Sequence, residues 1–223
     1  MKAFVSLWSA DLLRLEEAVH AIEAVADGIH LDVYDGHSVK ELLFFPDLVV
    51  ALRKITHLPI EAHLSVDEPD YWAERFVRAG ADVIAVQNSG SPNIRKTLTL
   101  IRALGAKSSL GVELHEEPKD VVHLFDVCDH LLLLGTANGV KGVPHYKATP
   151  ARVAALVEAR EASGRSEHDL EIYVDGGIRD STVEALAAAG ADGVVPGSLV
   201  FGNPVPAEAI RALRTLGRVP VNS

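Results

Sequence analysis

Ala79-Gly80-Ala81-Asp82-Val83 recurs in this chain as Ala189-Gly190-Ala191-Asp192-Gly193. Each copy reads as a helix end, closed by a glycine, that feeds straight into a strand. The copies lie half a chain apart, as expected of an architecture built from repeated strand–helix units. Around the first copy, Pro69 opens a helix over Asp70–Ala79, and Ala81-Asp82-Val83-Ile84-Ala85-Val86 follows as a strand. Around the second, Ser181–Ala189 is an Ala-rich helix and Gly193–Val195 a short apolar strand.

The same alternation extends outward in both directions. Further strands are expected at Ala3–Leu7, Ile29–Val33, Leu58–His63, Ser109–Glu113, Leu131–Leu134 and Glu171–Val174. Further helices are expected at Ala10–Ala26, Leu48–Ile55, Ile94–Leu104, Pro118–Val127, Pro150–Ser163 and Pro206–Leu216. In the first of these, Leu12, Leu13, Leu15, Ala18, Val19 and Ile22 keep a helical spacing. Nearly continuous apolar strands such as Leu131–Leu134 belong in a parallel sheet covered by helices. Eight such units with no linker predict an α/β fold, a single (β/α)8 TIM barrel over residues 1–223, ahead of a doubly wound open sheet.

Composition narrows the partners. With 48% hydrophobic and 23% charged residues the chain can bury a sizeable core. A net charge of −10 argues against nucleic acid or an anionic membrane as partner. A phosphorylated small molecule remains compatible, because backbone N–H groups bind phosphate without side-chain charge. The single cysteine, Cys128, excludes an internal disulfide and a thiolate-rich metal site, and suits a reducing cytosol. The apolar run before Asp11 and Arg14 is too short for a signal peptide, and no stretch approaches a membrane span. The expectation is a soluble, cytoplasmic protein.

Chemistry concentrates in Ile29-His30-Leu31-Asp32-Val33-Tyr34-Asp35-Gly36-His37. Strand alternation sets His30, Asp32 and Tyr34 on one face, each roughly 6.6 Å from the next. A polar face on an apolar strand is costly to bury unless something binds there. In a barrel of this kind the C-terminal strand ends carry function. Those ends offer Ser6, the trio just named, His63, Gln87, Glu113 and Asp175. His30, Asp32, His63 and Asp175 make a two-imidazole, two-carboxylate set suited to one divalent ion: Zn²⁺ first, or Mn²⁺, Fe²⁺ or Co²⁺. Asp32 and Asp175 stand three strands apart round a ring of eight, so they face each other across the mouth. Such a pair can remove a proton from one face of a carbon beside a carbonyl and return one to the other. Glycines follow strands six, seven and eight: Gly139 and Gly142, Gly176 and Gly177, and Gly197 with Ser198. Three adjacent loops of bare backbone suit phosphate, and Lys141 could add a point charge.

Taken in order, Ser6-Leu7-Trp8-Ser9-Ala10-Asp11, His30 to His37, Ala62-His63-Leu64, Ala79-Gly80-Ala81-Asp82, Val174-Asp175-Gly176-Gly177 and Gly197-Ser198-Leu199-Val200-Phe201-Gly202 resemble the ribulose-phosphate 3-epimerase family. The resemblance covers nearly the whole chain. It implies a metal-dependent 3-epimerase of a pentulose phosphate acting through an enediolate, an isomerase of carbohydrate metabolism. Asp32 and Asp175 would be its acid/base catalysts, all four ligands would hold the metal, and Ser6 would contact substrate. The family's members commonly assemble, so a homo-oligomer is expected.

The departures fall on the substrate wall. The family usually carries Met where Tyr34 and Ser65 stand, His in place of Gln87, and Asn-Pro in place of His115-Glu116. Its Asn-Pro-Gly-Phe-Gly-Gly loop is here Ala137-Asn138-Gly139-Val140-Lys141-Gly142. The expectation is thus a pentulose phosphate epimerase. The alternatives are an epimerase or isomerase of a tetrulose or hexulose phosphate, or a non-catalytic sugar-phosphate-binding barrel.

Overall fold

The computed structural model describes residues 1–217, so the last six positions of the expected 1–223 unit lie outside the described residues. Eight parallel strands close a (β/α)8 TIM barrel: β1 (Lys2–Ser6), β2 (Gly28–Asp35), β4 (Ile60–Ser65), β5 (Val83–Gln87), β6 (Lys107–Val112), β7 (His130–Leu134), β8 (Glu171–Asp175) and β9 (Gly193–Val195). Closure comes from β1 pairing with β2 on one side, Ser6 opposite His30, and with β9 on the other, Ala3 opposite Val194. One extra strand, β3 (Leu42–Leu43), lies antiparallel to β2 and pairs Leu43 with Tyr34. The helices are α1 (Leu15–Ile22), α2 (Pro46–Leu52), α3 (Pro69–Ala79), α4 (Ile94–Ala103), α5 (Thr149–Ala162), α6 (Asp180–Ala188), the short α7 (Ser198–Phe201) and α8 (Pro206–Leu216).

The recurring aspartate has a structural cause. Asp82 Oδ2 accepts from the backbone N–H of Ile60 at 2.8 Å, at the start of the preceding strand, and also pairs with Arg53. Asp192 Oδ2 does the same with the Ile172 N–H at 2.7 Å and Arg160 at 2.6 Å. Two further copies complete the set. Asp27 Oδ2 takes the Ala3 N–H at 2.8 Å and Arg214 at 2.7 Å, and Asp129 Oδ2 takes the Ser108 N–H at 2.9 Å with Arg102 at 3.8 Å. Four carboxylates therefore stitch the strands in pairs at the N-terminal face, each with an arginine from the helix before the pair. An ionised acceptor makes these bonds stronger than neutral ones.

Two expected helices differ. Over Ala10–Ala26 only Leu15–Ile22 is α-helical and Leu12–Arg14 is a single 3₁₀ turn; an earlier turn, Leu7–Ser9, takes the last residue of the expected first strand. Asp11 accepts from the Leu13 N–H at 3.0 Å and starts the second turn afresh, which turns Leu13 outward at 95% exposure. The expected helix Pro118–Val127 is two 3₁₀ segments, Pro118–Asp120 and Val122–Val127. The β-branched Val121, Val122 and Val127 lower helix propensity there, while Leu124 and Phe125 still reach the core.

The core has two parts. Outward-facing strand residues such as Ile29, Leu31, Ile84, Leu131 and Ile172 pack under the helices. Inside the barrel, Phe4, Ala85, Leu132, Leu134, Tyr173 and Val195 form a second apolar cluster. Its floor is the edge-to-face pair Phe4–Tyr173, with ring centroids 5.3 Å apart. Those rings occupy the space that a side chain at Gly28 or Gly193 would need: a Cβ there would lie 2.4 Å from the Phe4 ring or 2.2 Å from the Tyr173 ring. Across the interior from Leu132 and Leu134, β2, β4 and β5 carry polar groups, and the candidate site rises from them.

Candidate metal and active site

His30 and Asp32 come from β2, His63 from β4 and Asp175 from the end of β8, and one ligand atom from each lies within 4.8 Å of all the others. The parallel register sets Asp32 opposite His63, so the two strands deliver their ligands at one height. His30 Nε2 is 3.3 Å from Asp32 Oδ1 and 3.9 Å from Asp175 Oδ2. His63 Nδ1 is 3.5 Å and 3.8 Å from the same two oxygens. Both imidazoles are buried, and His63 Nδ1 has no hydrogen-bond partner among the described residues although it points into the cluster. A buried, unpartnered nitrogen facing two carboxylates is costly unless a cation sits between them. The donor set and the orphaned nitrogen therefore fit one divalent ion.

Neighbours hold these ligands in place. Glu61 Oε2 accepts from His30 Nδ1 at 2.8 Å, which leaves Nε2 for the cluster. Ser6 Oγ donates to Asp32 Oδ2 at 2.9 Å, and the Tyr34 hydroxyl approaches Oδ1 at 3.5 Å. The carboxylates are driven apart in acidity. Burial opposes ionisation of Asp32, but the charge and hydrogen bond of His30, with those of His63, outweigh it and hold the carboxyl well below the usual range. Burial and the Asp32 charge push Asp175 up to about 6, against the pull of His30. Burial would lower His30, yet Asp32 and Glu61 raise it well above an ordinary histidine. Burial, and then the two aspartates, push the Tyr34 phenol upward, so it stays protonated.

Above the cluster lies a cavity at the C-terminal mouth. Of the residues expected to form the site, Ser6, Asp32, Tyr34 and Asp175 line it, as do Gly139, Lys141, Gly142, Gly176, Gly177, Gly197 and Ser198. His30 and His63 lie beneath it. Ser65 does not line it: the side chain is buried and its Oγ accepts from Asn138 Nδ2 at 2.8 Å. Gly177 has φ +73, and a Cβ there would come 2.1 Å from the His145 backbone nitrogen, so the loop after β7 packs directly on it.

Several cavity residues escaped sequence reasoning. Trp8 meets Tyr34 edge to face with centroids 5.4 Å apart, and the Lys141 ammonium sits 4.6 Å over the Trp8 ring. Arg179 lines the cavity beside Ser198, 3.2 Å from its hydroxyl. Its signal was a basic residue two positions after Gly176-Gly177. Gln87, named from its strand end, does not line the cavity; it ends β5 against His63, its amide nitrogen 2.5 Å from His63 Nε2.

Among solved structures, the KGPDC of Streptococcus mutans superposes with a TM-score of 0.74 at 16% identity, covering 97% of this chain and 96% of its own. A 3-hexulose-6-phosphate synthase gives 0.70 at 19% identity, covering 97% and 99%. At these identities the likeness is one of fold. The ribulose-phosphate 3-epimerase of Bacillus subtilis (strain 168) is 33% identical over 215 residues, 96% of this chain and 98% of its own. That of Synechocystis sp. is 35% identical over 216 residues, 96% of this chain and 93% of its own. A family model described as "Ribulose-phosphate 3 epimerase family" matches residues 2–201, and this chain belongs to that family.

Proposed function

We propose that this chain is a 3-epimerase of a ketose phosphate, with a pentulose phosphate as substrate. The observation that carries the reading is one cavity lined by two carboxylates from opposite sides of the mouth, Asp32 held well below the usual carboxylate range and Asp175 raised to about 6. A proton on C3, beside the C2 carbonyl, is acid enough to be taken by one carboxylate, giving an enediolate; the other returns a proton to the opposite face. The pair exchange roles for the reverse reaction. Ser6 and Tyr34 orient Asp32, and Trp8 and Tyr34 wall the carbon chain from water. His30, Asp32, His63 and Asp175 would hold a divalent ion, Zn²⁺ first, whose charge would favour the enediolate oxygens. The loops bearing Gly139, Gly142, Gly176, Gly177, Gly197 and Ser198, with Lys141 and Arg179, would take the phosphate.

The similarity to ribulose-phosphate 3-epimerases supports ribulose phosphate as the substrate. One observation favours a second reading, the same chemistry on a tetrulose or hexulose phosphate: the aromatic pair Trp8–Tyr34 in the wall. A panel of ketose phosphates incubated in deuterated solvent tests both, the label appearing at C3 of the true substrate. Asp175→Asn should lower exchange about 10²- to 10⁴-fold. Absence of exchange from every ketose phosphate by the metal-loaded protein would sink both readings. A cytoplasmic homo-oligomer is part of the proposal. Among the described residues no helix is long and apolar enough to cross a membrane, and Cys128 is buried as a free thiol.

A further inference from the structure

Two buried atoms without hydrogen-bond partners among the described residues belong to one pair of touching side chains: His63 Nδ1 and Gln87 Oε1. An imidazole that is neutral carries one ring proton, and an amide offers a donor at one corner and an acceptor at the other. When the Gln87 amide N–H donates to His63 Nε2, the ring proton must sit on Nδ1. There it points at Asp32 and Asp175 and blocks ligation. A half-turn of the amide about its Cγ–Cδ bond brings Oε1 to Nε2. The ring proton then belongs on Nε2, which donates to Oε1, and Nδ1 presents a bare lone pair to the cluster. That turn satisfies the orphaned carbonyl oxygen and prepares the orphaned nitrogen for a metal at the same time.

We propose that Gln87 is a positioning residue whose amide turns between these two orientations and so sets the tautomer of His63, one for the metal-free cluster and one for the loaded cluster. The proposal rests on the metal reading of the site. Glu61 offers the contrast, since a carboxylate only accepts and keeps His30 in one orientation. Room for the turn comes from β6: Gly111 stands opposite Gln87 in the register, and a Cβ there would lie 2.5 Å from Oε1. Side chains of other types at position 87 lose one half of the switch. A carboxylate holds Nε2–H permanently, and an apolar side chain holds neither tautomer.

The test uses the full chain stripped of metal, titrated at pH 8 with Zn²⁺ against a competing chelator, alongside ¹⁵N spectra of the His63 ring. Gln87→Leu should bind Zn²⁺ about 10- to 100-fold more weakly than the parent, the effect expected for losing a partner of a ligating histidine. Gln87→Glu should bind at least as tightly as the parent and show the Nε2–H tautomer with and without Zn²⁺. The parent should change from Nδ1–H to Nε2–H on loading while Gln87→Glu does not. With a merely structural glutamine, stripped Gln87→Glu would carry the same Nδ1–H tautomer as the stripped parent, and that result too overturns the proposal. Parental affinity in Gln87→Leu, or the same tautomer in stripped and loaded parent, overturns the proposal and leaves the metal reading intact. A parent that takes up no Zn²⁺ overturns both. Should Gln87→Leu fail to fold, the tautomers of the parent and of Gln87→Glu decide the matter.

Discussion

Acidification should strip the divalent ion from this protein in a pH range where an ordinary aspartate would still hold it. A ligand must be deprotonated to bind, so a group whose pKa is raised loses the competition with protons at higher pH. Burial and the neighbouring Asp32 charge push Asp175 up to about 6. An Asp175 half-ionised near that pH is about 90% ionised at pH 7 and about 9% at pH 5, which weakens binding about tenfold. An unshifted aspartate would contribute almost nothing over the same span. His30, against its burial, is raised well above an ordinary histidine by Asp32 and Glu61, and it too must release a proton. That loss runs in the same direction as that of Asp175 and adds to it. Asp32, held low, adds nothing until far more acid conditions. The assay is chelator competition at fixed ionic strength, corrected for the chelator's own protonation. Affinity should still be rising between pH 7 and pH 8, because of His30. A profile flat over that interval would refute the raised imidazole, and a ¹³C titration of the Asp175 carboxyl with its midpoint near that of a free aspartate would refute the rest.

The cavity wall and its rim make two further predictions. Tyr34→Met restores the side chain usual in the family beside Asp32, and should move kcat/KM toward ribulose phosphate relative to other ketose phosphates by about 5- to 10-fold. An unchanged ratio counts against the wall argument. Arg179→Ala should raise KM for the phosphorylated substrate about 10- to 100-fold with little change in kcat, since a phosphate contact distant from C3 is made equally in ground and transition states. A fall in kcat at unchanged KM would show that Arg179 acts on the chemistry instead.

Much of this was legible in the chain because it depends on period and position. Strand and helix periods set the eight units, and the C-terminal ends of strands are countable without coordinates. His30, Asp32, His63 and Asp175 were thus placed on one mouth before their distances were known. What was hidden depends on register across the barrel. Glu61 carries no signal of its own in the sequence, and only the pairing of β2 with β4 sets it opposite His30; Gln87 reaches His63 through the neighbouring strand. Ser65, expected on the substrate wall, ends β4 two residues beyond the expected strand end at His63, and its hydroxyl is taken by Asn138, a partner 73 positions away. Local chemistry misled at Leu13, whose helical spacing was cut short by the Asp11 turn. Of the four stitching aspartates, Asp82 and Asp192 share the preceding Ala-Gly-Ala, and Asp27 and Asp192 share the triplet Ala-Asp-Gly. Asp129, between Cys128 and His130, performs the same task in an unrelated setting.

Those four stitches bear on where the barrel could be opened. Asp27 joins Arg214 of α8 to the start of β1 with the same bonds that Asp82, Asp129 and Asp192 make at junctions inside the chain. The seam between α8 and β1 is therefore built like any other junction, and the order in which the quarters are read matters little to the finished barrel. A circular permutant begun at β4, β6 or β8, with the old seam bridged by a short linker, would keep every stitch. It would also present His30, Asp32, His63 and Asp175 at one mouth from a different order of synthesis.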